Sequence, residues 1–475
     1  MDNIDQHYIG GKWVDVIDRS GHHDIINPAT EDCIGRLQFG GEADVDLAVD
    51  AAAEAFPAYA RSSLASRVEL LRAIANEYAL RADELADAVS TEMGAPLERL
   101  ARRAHVPLGL KHLRAAAELA GQFPWESRQG RSLTLREPAG VCALITPWNW
   151  PLNQIACKVA PALLAGCTMV LKASEYAPLS ATIFAEILGK AGVPAGVFNM
   201  VWVSGPEYGP RMASHPKVDL VSLTGSTAAG ASVARHAAAG IKRVSLELGG
   251  KSANIILDDA PFEQAVERGV LQLMSNTGQS CNAPSRMLVP QARLAQAEEI
   301  AAVAAGSLRL GDPRDPATTT GPLANARQYE RVQAHIRSGM RDARLVAGGL
   351  GRPDGLERGY FVRPTVFSVQ DNTARIARDE VFGPVLTLLP YRDEAEAVAI
   401  ANDSDYGLSA YVYGGSEERA AALARQLRVG QVHLNGAGAD MQAAFGGMKQ
   451  SGIGREWGAA GIDEFTELKV LMAPA

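Results

Sequence analysis

The chain has 475 residues, of which 47% are apolar and 21% charged, and a formal net charge of −8. That length suits roughly three domains and can bury more than one core. The negative balance leaves no basic footprint for nucleic acid and opposes binding to anionic membranes.

In chain order, the opening stretch MDNIDQHYIGGKWV lacks the basic-then-apolar pattern of a secretory signal. His22 and His23 are adjacent in a loop-like stretch, and no His-Glu-x-x-His occurs, so they read as solvated or satisfied histidines and no metal site is expected. From about residue 42 to 121 the apolar period is helical. Ser66-x-x-Glu69 has the capping-box pattern, Val68, Leu71, Ile74 and Tyr78 fall on one face, and two long helices are expected to end near Gly94 and Gly121. The stretch GQFPWESRQGRSLTLREPAG then alternates like an edge hairpin. From residue 140 short strand-like runs (GVCALITPW, CTMVLKAS, GVFNMVWV, VDLVSLTG, RVSLELGG) alternate with helical stretches, notably 179–190 and 226–238. A second such series begins near 252. This alternation predicts an α/β chain with two tandem Rossmann-like parallel-sheet units. The longest apolar run, between Lys158 and Lys172, is too short to cross a bilayer and is broken by Pro161 and Gly166. The tail DEFTELKVL is strand-prone with little nearby to pair with, so it is expected to reach another subunit.

Five cysteines, an odd number with no Cys-x-x-Cys pair, argue against a disulfide framework and for a reducing, cytoplasmic setting. One of them, Cys281, sits in the polar, glycine-bearing stretch NTGQSCN. If that turn led into a helix start, free backbone N–H groups would favour a thiolate; the alternative is a small core residue. Glu247, in SLELGGK, is a carboxylate in an apolar strand: either a general base with a raised pKa, or a strand-end partner of Lys251 or Arg243. Asn149, in TPWNWP, either donates to a developing oxyanion or satisfies its own turn. LTGSTAAG (223–230) offers a strand-to-helix junction for phosphate at Gly225 and Ser226, although no Gly-x-Gly-x-x-Gly occurs anywhere. LKASE (171–175) either grips a ribose or is a solvated turn.

Together and in this order, PWNWP, LKASE, LTGSTAAG, LELGGK, GQSCNAPSR, EVFGPV and FGGMKQSGIGREWG resemble the aldehyde dehydrogenase superfamily over nearly the whole chain. The resemblance implies that Cys281 attacks the aldehyde to give a thiohemiacetal and then a thioacyl-enzyme. Asn149 and the Cys281 N–H would hold the oxyanion, and Glu247 would activate the hydrolytic water. It further implies NAD as cofactor, with NADP possible. Lys172, Ser174 and Glu175 would lie at the adenosine ribose, Gly225 and Ser226 at the pyrophosphate, and Glu380 and Phe382 at the nicotinamide ribose. The implied domains are a dinucleotide-binding domain (1–118 and 140–250), a catalytic domain (251–455) and a β oligomerisation element (119–139 and 456–475), in a homodimer or homotetramer. Two positions depart from the family pattern: Ala173 replaces a proline common in KPSE, and Pro284 replaces a glycine common after the nucleophile.

By the same resemblance, Trp150, Asn153, Gln154, Cys157, Asn282 and Phe445 would line the aldehyde entrance, with a wide mouth at Cys157. No arginine is among them, which argues against a dicarboxylic semialdehyde and for a medium-sized, largely apolar aldehyde. The competing readings are a relative that passes the acyl group to coenzyme A, against which Glu247 counts, and a non-catalytic binding protein on the same scaffold.

Overall fold

The computed structural model describes residues 3–473. Its first sheet has eight strands, ordered Lys12–Asp15, Gln6–Ile9, Phe198–Met200, Thr168–Lys172, Val141–Ile145, Leu220–Thr224, Arg243–Glu247 and Gly452–Ile453. The five from Phe198–Met200 to Arg243–Glu247 run parallel, and antiparallel strands close both edges. Val141–Ile145, Thr168–Lys172 and Leu220–Thr224 are buried throughout, which is why they read as continuous apolar runs.

The second sheet has seven strands, ordered Arg344–Ala347, Thr365–Ser368, Val385–Tyr391, Arg286–Pro290, Ala253–Ile256, Ser409–Tyr413 and Gln431–Leu434. Only Arg344–Ala347 is antiparallel. Arg286 enters its core and is satisfied there by carbonyls: Nε donates to Lys251 (3.0 Å), and the terminal nitrogens donate to Ile400 and Ala401 (2.9 Å each). The chain then leaves this sheet, since Gly452 pairs with Glu247 on the edge of the first.

A third sheet joins the hairpin strands Glu126–Gln129 and Ser132–Pro138 to Thr466–Met472. The tail strand is its outer edge, with Leu468, Val470, Leu471 and Met472 exposed. Residues 474–475 of the expected oligomerisation element lie outside the described residues.

Between residues 42 and 119 the chain forms five helical segments rather than two, among them Leu64–Leu80, the wide-turn π-helix Leu97–His105 and Val106–Leu119. The cap of Leu64–Leu80 is Ser63, whose hydroxyl accepts from the Ser66 N–H at 3.1 Å. The capping-box match at Ser66 was displaced by one turn because Ser63, not Ser66, has the extended backbone of a cap. Gly94 ends Ala82–Met93 in the left-handed conformation, as expected of a C-terminal glycine.

Candidate active site

The two parallel sheets face each other across a cleft of about 310 Å³. Its walls carry Asn149, Gly225, Ser226, Cys281, Glu380 and Phe382, contributed by loops at the ends of strands. Six residues separated by up to 233 positions in sequence thus meet at one place, where open α/β sheets offer their crevice.

Cys281 stands on a strained turn. Asn276, Thr277 and Gly278 are consecutively left-handed, with φ of 51°, 55° and 71°. For threonine this is costly, and it persists only because neighbours over-determine it. Thr277 Oγ1 donates to Gly321 O at 3.0 Å. Gln279 donates to Asn276 O (3.1 Å) and accepts from Ala324 N (2.9 Å). Gly278 has no room for a side chain, since a Cβ would strike the Gly383 carbonyl. Trp150 Nε1 donates to Ser280 Oγ at 2.8 Å, fixing the residue before the nucleophile.

The expected route to a thiolate is corrected here. The turn leads into strand Arg286–Pro290, not into a helix start, so no helix N-terminus faces the sulfur. The Cys281 thiol is pushed well above its ordinary range, first by burial and then by the charges of Glu247, Glu380 and Glu456. Both influences favour the thiol over the thiolate, so attack calls for a proton acceptor. Glu247 closes the neighbouring strand, and its charge is among those acting on the sulfur. That carboxyl is itself raised, chiefly by burial and then by Glu456, while Lys158 and Arg455 act in the opposite direction. Its Oε1 is buried with no hydrogen-bond partner. The alternative partners weighed for Glu247 do not engage it, since Lys251 Nζ is unpartnered and Arg243 binds Thr466 O and Glu467.

Asn149 Nδ2 donates to Gln279 O at 3.0 Å, and Asn149 O accepts from Asn276 Nδ2 at 2.8 Å. A carboxamide has two N–H donors, so one remains for a ligand beside the sulfur. The amide is therefore tied to the nucleophile turn rather than to its own.

Sequence reasoning missed the group behind Glu247. Lys158, fully buried in helix Pro151–Ala165, pairs with Glu456 and donates to Ser222 Oγ at 2.8 Å. The signal was available: a lysine inside a fifteen-residue apolar helix demands a partner. Glu456 is held by reciprocal main-chain bonds to Phe445, both 2.7 Å.

The cofactor-side residues divide. Gly225 and Ser226 line the cleft at the start of helix Thr227–Ala238, and the Ser226 hydroxyl is used as its cap, accepting from Ala229 N at 3.2 Å. Glu380 accepts from Gly250 N at 3.0 Å, and Phe382, left-handed at φ 59°, meets Trp148 edge-on. Lys172 and Glu175 pair at 2.7 Å; burial opposes ionisation of Glu175, but the lysine outweighs it and the carboxyl falls below its usual range. Glu175 faces a neighbouring cavity of about 410 Å³ that shares Tyr176, Asn325 and Arg327 with the cleft. Ser174 accepts from Tyr176 N at 3.3 Å, shaping the same turn. Arg327, Gln328 and Arg331, on the opposite lip, were not anticipated.

None of the aldehyde-side residues lines this cleft. Trp150, Asn153, Gln154 and Cys157 share helix Pro151–Ala165 or its first turn. Asn153 pairs with His112 at 2.8 Å, and Phe445 stacks on Trp457 with centroids 4.3 Å apart. Asn282 O accepts from the Tyr411 hydroxyl at 3.0 Å. The wide mouth expected at Cys157 is absent. Its sulfur is buried and donates to Glu456 at 3.4 Å, and His112, Leu119, Met441 and Trp457 close over it, leaving about 20 Å³. That is room for one water at most.

The aldehyde dehydrogenase family model matches residues 13–471. The chain belongs to the aldehyde dehydrogenase family. A 3-succinoylsemialdehyde-pyridine dehydrogenase from a Pseudomonas species is 55% identical over 473 residues, 99% of each chain. A putative aldehyde dehydrogenase of Staphylococcus aureus is 44% identical, covering 99% of this chain and 98% of that one. Among solved structures, an aldehyde dehydrogenase C from Pseudomonas syringae, a cysteine-to-alanine mutant with NAD+ and octanal, is 49% identical. It superposes with a TM-score of 0.98 over 100% of this chain and 98% of that one. The Mycobacterium tuberculosis aldehyde dehydrogenase bound to NAD+ is 38% identical, with a TM-score of 0.96 over 100% and 99% of the two chains. As an aldehyde dehydrogenase this enzyme oxidises an aldehyde with a nicotinamide dinucleotide. Among the described residues no helix is long and apolar enough to cross a membrane.

Glu456 disfavours negative charge on both Glu247 and Cys281. Replacing it by glutamine makes both easier to deprotonate. Glu456→Gln is therefore expected to move the rising limb of kcat/KM against pH to lower pH, by roughly half to one unit. A pH–rate profile checks this; an unmoved or raised limb contradicts it.

Proposed function

We propose that the enzyme oxidises a medium-sized, largely apolar aldehyde to its carboxylic acid by covalent catalysis at Cys281. The observation that carries the reading is the convergence of Cys281 and Asn149 on the cleft at the end of strand Arg243–Glu247, where Glu247 Oε1 is buried without a partner. Glu247 takes the thiol proton as sulfur bonds to the carbonyl carbon. The oxyanion of the thiohemiacetal is held by the spare Asn149 amide hydrogen and the Cys281 backbone N–H. Loss of a hydride from that carbon restores the C=O and gives a thioester on Cys281. After passing the thiol proton to solvent, Glu247 takes a proton from the attacking water and returns it to sulfur as the carbon–sulfur bond breaks and the acid leaves. Splitting the oxidation at sulfur suits a group that both attacks and departs readily.

The cleft fits NAD. Gly225 and the main chain at Ser226 open the helix start to the pyrophosphate. Thr224 Oγ1 is buried without a partner at the same junction. Glu380 and Phe382 would hold the nicotinamide end, and Lys172, Ser174 and Glu175 the adenosine ribose. When bound, NAD accepts the hydride. With Lys172 already neutralised by Glu175, little positive charge remains there for a 2′-phosphate, so NAD is favoured over NADP. A pyridine-bearing semialdehyde in the name of one relative and octanal in the structure of another both support an apolar substrate body. Trp150 and Phe445 supply apolar walls for it, while Asn153, Gln154 and Asn282 offer polar contacts and Cys157 stays behind them.

The enzyme is further read as a homodimer or homotetramer that works in the cytoplasm. Edge strand Thr466–Met472 presents unpaired main chain beneath exposed apolar side chains, and Gln431–Leu434 is an open edge of the second sheet. Pairing such edges between copies would remove both liabilities.

Glu247→Gln is expected to slow the first-turnover release of NADH, since the thiol loses its acceptor, and to cut steady-state turnover by at least ~100-fold, as stopped-flow and steady-state absorbance will show. Full turnover would contradict the role of Glu247. Decanal and benzaldehyde should exceed succinic semialdehyde in kcat/KM by roughly tenfold or more, and the reverse order would refute the substrate class. Deleting residues 466–475 should reduce the assembly to monomers by light scattering; an unchanged mass contradicts the proposed edge pairing.

A further inference from the structure

His105 is the last residue of the π-helix Leu97–His105, a rare geometry found most often at functional sites. It is fully buried, and its ring stacks on the Trp150 indole with centroids 4.1 Å apart and planes 21° from parallel. Both of its ring nitrogens are buried with no partner at full hydrogen-bond geometry. The carboxamide of Asn276 acts on this ring and bonds to Asn149, the neighbour of Trp150; its Oδ1 is likewise buried and unpartnered. Buried hydrogen-bonding groups left without partners call for an explanation.

We propose that His105 is a positioning residue for the oxyanion site: by donating a ring N–H to Asn276 Oδ1 it fixes the orientation of that amide, and through it the placement of Asn149. The geometry beyond Asn276 supports this. Its Nδ2 donates to Asn149 O at 2.8 Å and lies 3.3 Å from Gln279 O, the same carbonyl that receives the Asn149 side chain. If the Asn276 amide turned over, its oxygen would face two carbonyl oxygens and both bonds would be lost. A second arm runs from the same stack, since Trp150 donates to Ser280 beside the nucleophile. Burial lowers the His105 pKa to about 3, so the ring stays neutral with one N–H to give and one nitrogen to spare.

This inference rests on the oxyanion role proposed for Asn149, and the test separates the two. The pre-steady-state NADH burst reports acylation, and fluorescence quenching reports NAD binding. His105→Phe keeps the stack and removes the donor; it should slow the burst by roughly tenfold, a fraction of the 100- to 1,000-fold typical for a lost oxyanion donor, with NAD affinity unchanged. His105→Gln, which restores an N–H, should recover most of that loss. In an Asn149→Ala background His105→Phe should cost nothing further. A full burst rate in His105→Phe while Asn149→Ala is impaired overturns this inference alone. A full burst rate in Asn149→Ala overturns both. Additive losses in the double variant, or parallel loss of NAD binding, also overturn it. If His105→Phe does not fold, Asn276→Gly, which suits the left-handed backbone and removes the amide, must show the same slowed burst with intact NAD binding, or the inference fails.

Discussion

A carboxylate buried at the end of a parallel strand is the constraint around which this enzyme is arranged. Glu247 closes strand Arg243–Glu247, where it loses hydration without gaining a direct cationic partner. The protein does not neutralise it. It places one ion pair, Lys158 with Glu456, close enough to act through space in both directions. The last strand, Gly452–Ile453, lies on the Glu247 edge so closely that any side chain at Gly452 would strike the Leu246 carbonyl. Ser451 adds a donor to Gly249 O at 2.7 Å and accepts from Gly407 N at 2.9 Å. The stretch from Phe445 to Glu456 is thus a brace that links both sheets across the base.

The nucleophile is set by the opposite strategy. Glu247 stands on a regular strand, but Cys281 stands on a turn with three left-handed residues whose strain is held by side-chain hydrogen bonds and one steric contact. The strain fixes where sulfur can be, so a thiol that is hard to ionise meets its acceptor without a search. Rigid placement replaces electrostatic activation, because three carboxylates nearby make a free thiolate unfavourable.

Much of the site was legible in the sequence because its motifs sit at strand ends, where chemistry and punctuation coincide. Cys281 follows a glycine-bearing polar turn, Glu247 interrupts an apolar strand, and Asn149 lies between tryptophans and prolines. The alternating strands and helices and the hairpin were equally readable from period and composition, whereas the tail strand, expected to reach another subunit, pairs with Ser132–Pro138 of its own chain. What was not readable depends on contacts between segments far apart in the chain. Nothing in NTGQSCN distinguishes a turn before a strand from one before a helix, or shows the burial and the three carboxylates that raise the Cys281 pKa. A cysteine at position 157 suggests open space only until Trp457 and His112, from two other segments, are seen to fill it. The run LERLARRAH looks like an ordinary amphipathic helix, so neither its π geometry nor the inward turn of His105 left a trace.

These two strategies also explain why polar groups crowd a region that packing alone would make apolar. Lys158, Glu456, Asn276, Gln279 and His105 are all buried within a few residues' reach of Cys281 or Glu247. Each is costly to desolvate, and each unsatisfied atom costs more still. Several of the unsatisfied atoms fall at this site. Glu247 Oε1 is buried at the end of its strand, Thr224 Oγ1 lies at the cleft junction, Asn276 Oδ1 belongs to the nucleophile turn, and both His105 ring nitrogens lie in the stack on Trp150. Arg286, by contrast, is bonded to three carbonyls; at the site the free atoms leave hydrogen-bonding capacity for water, dinucleotide and the reacting carbonyl oxygen. The site is therefore less stable than it could be in the groups that must change partners during turnover, and over-determined in the backbone that holds them.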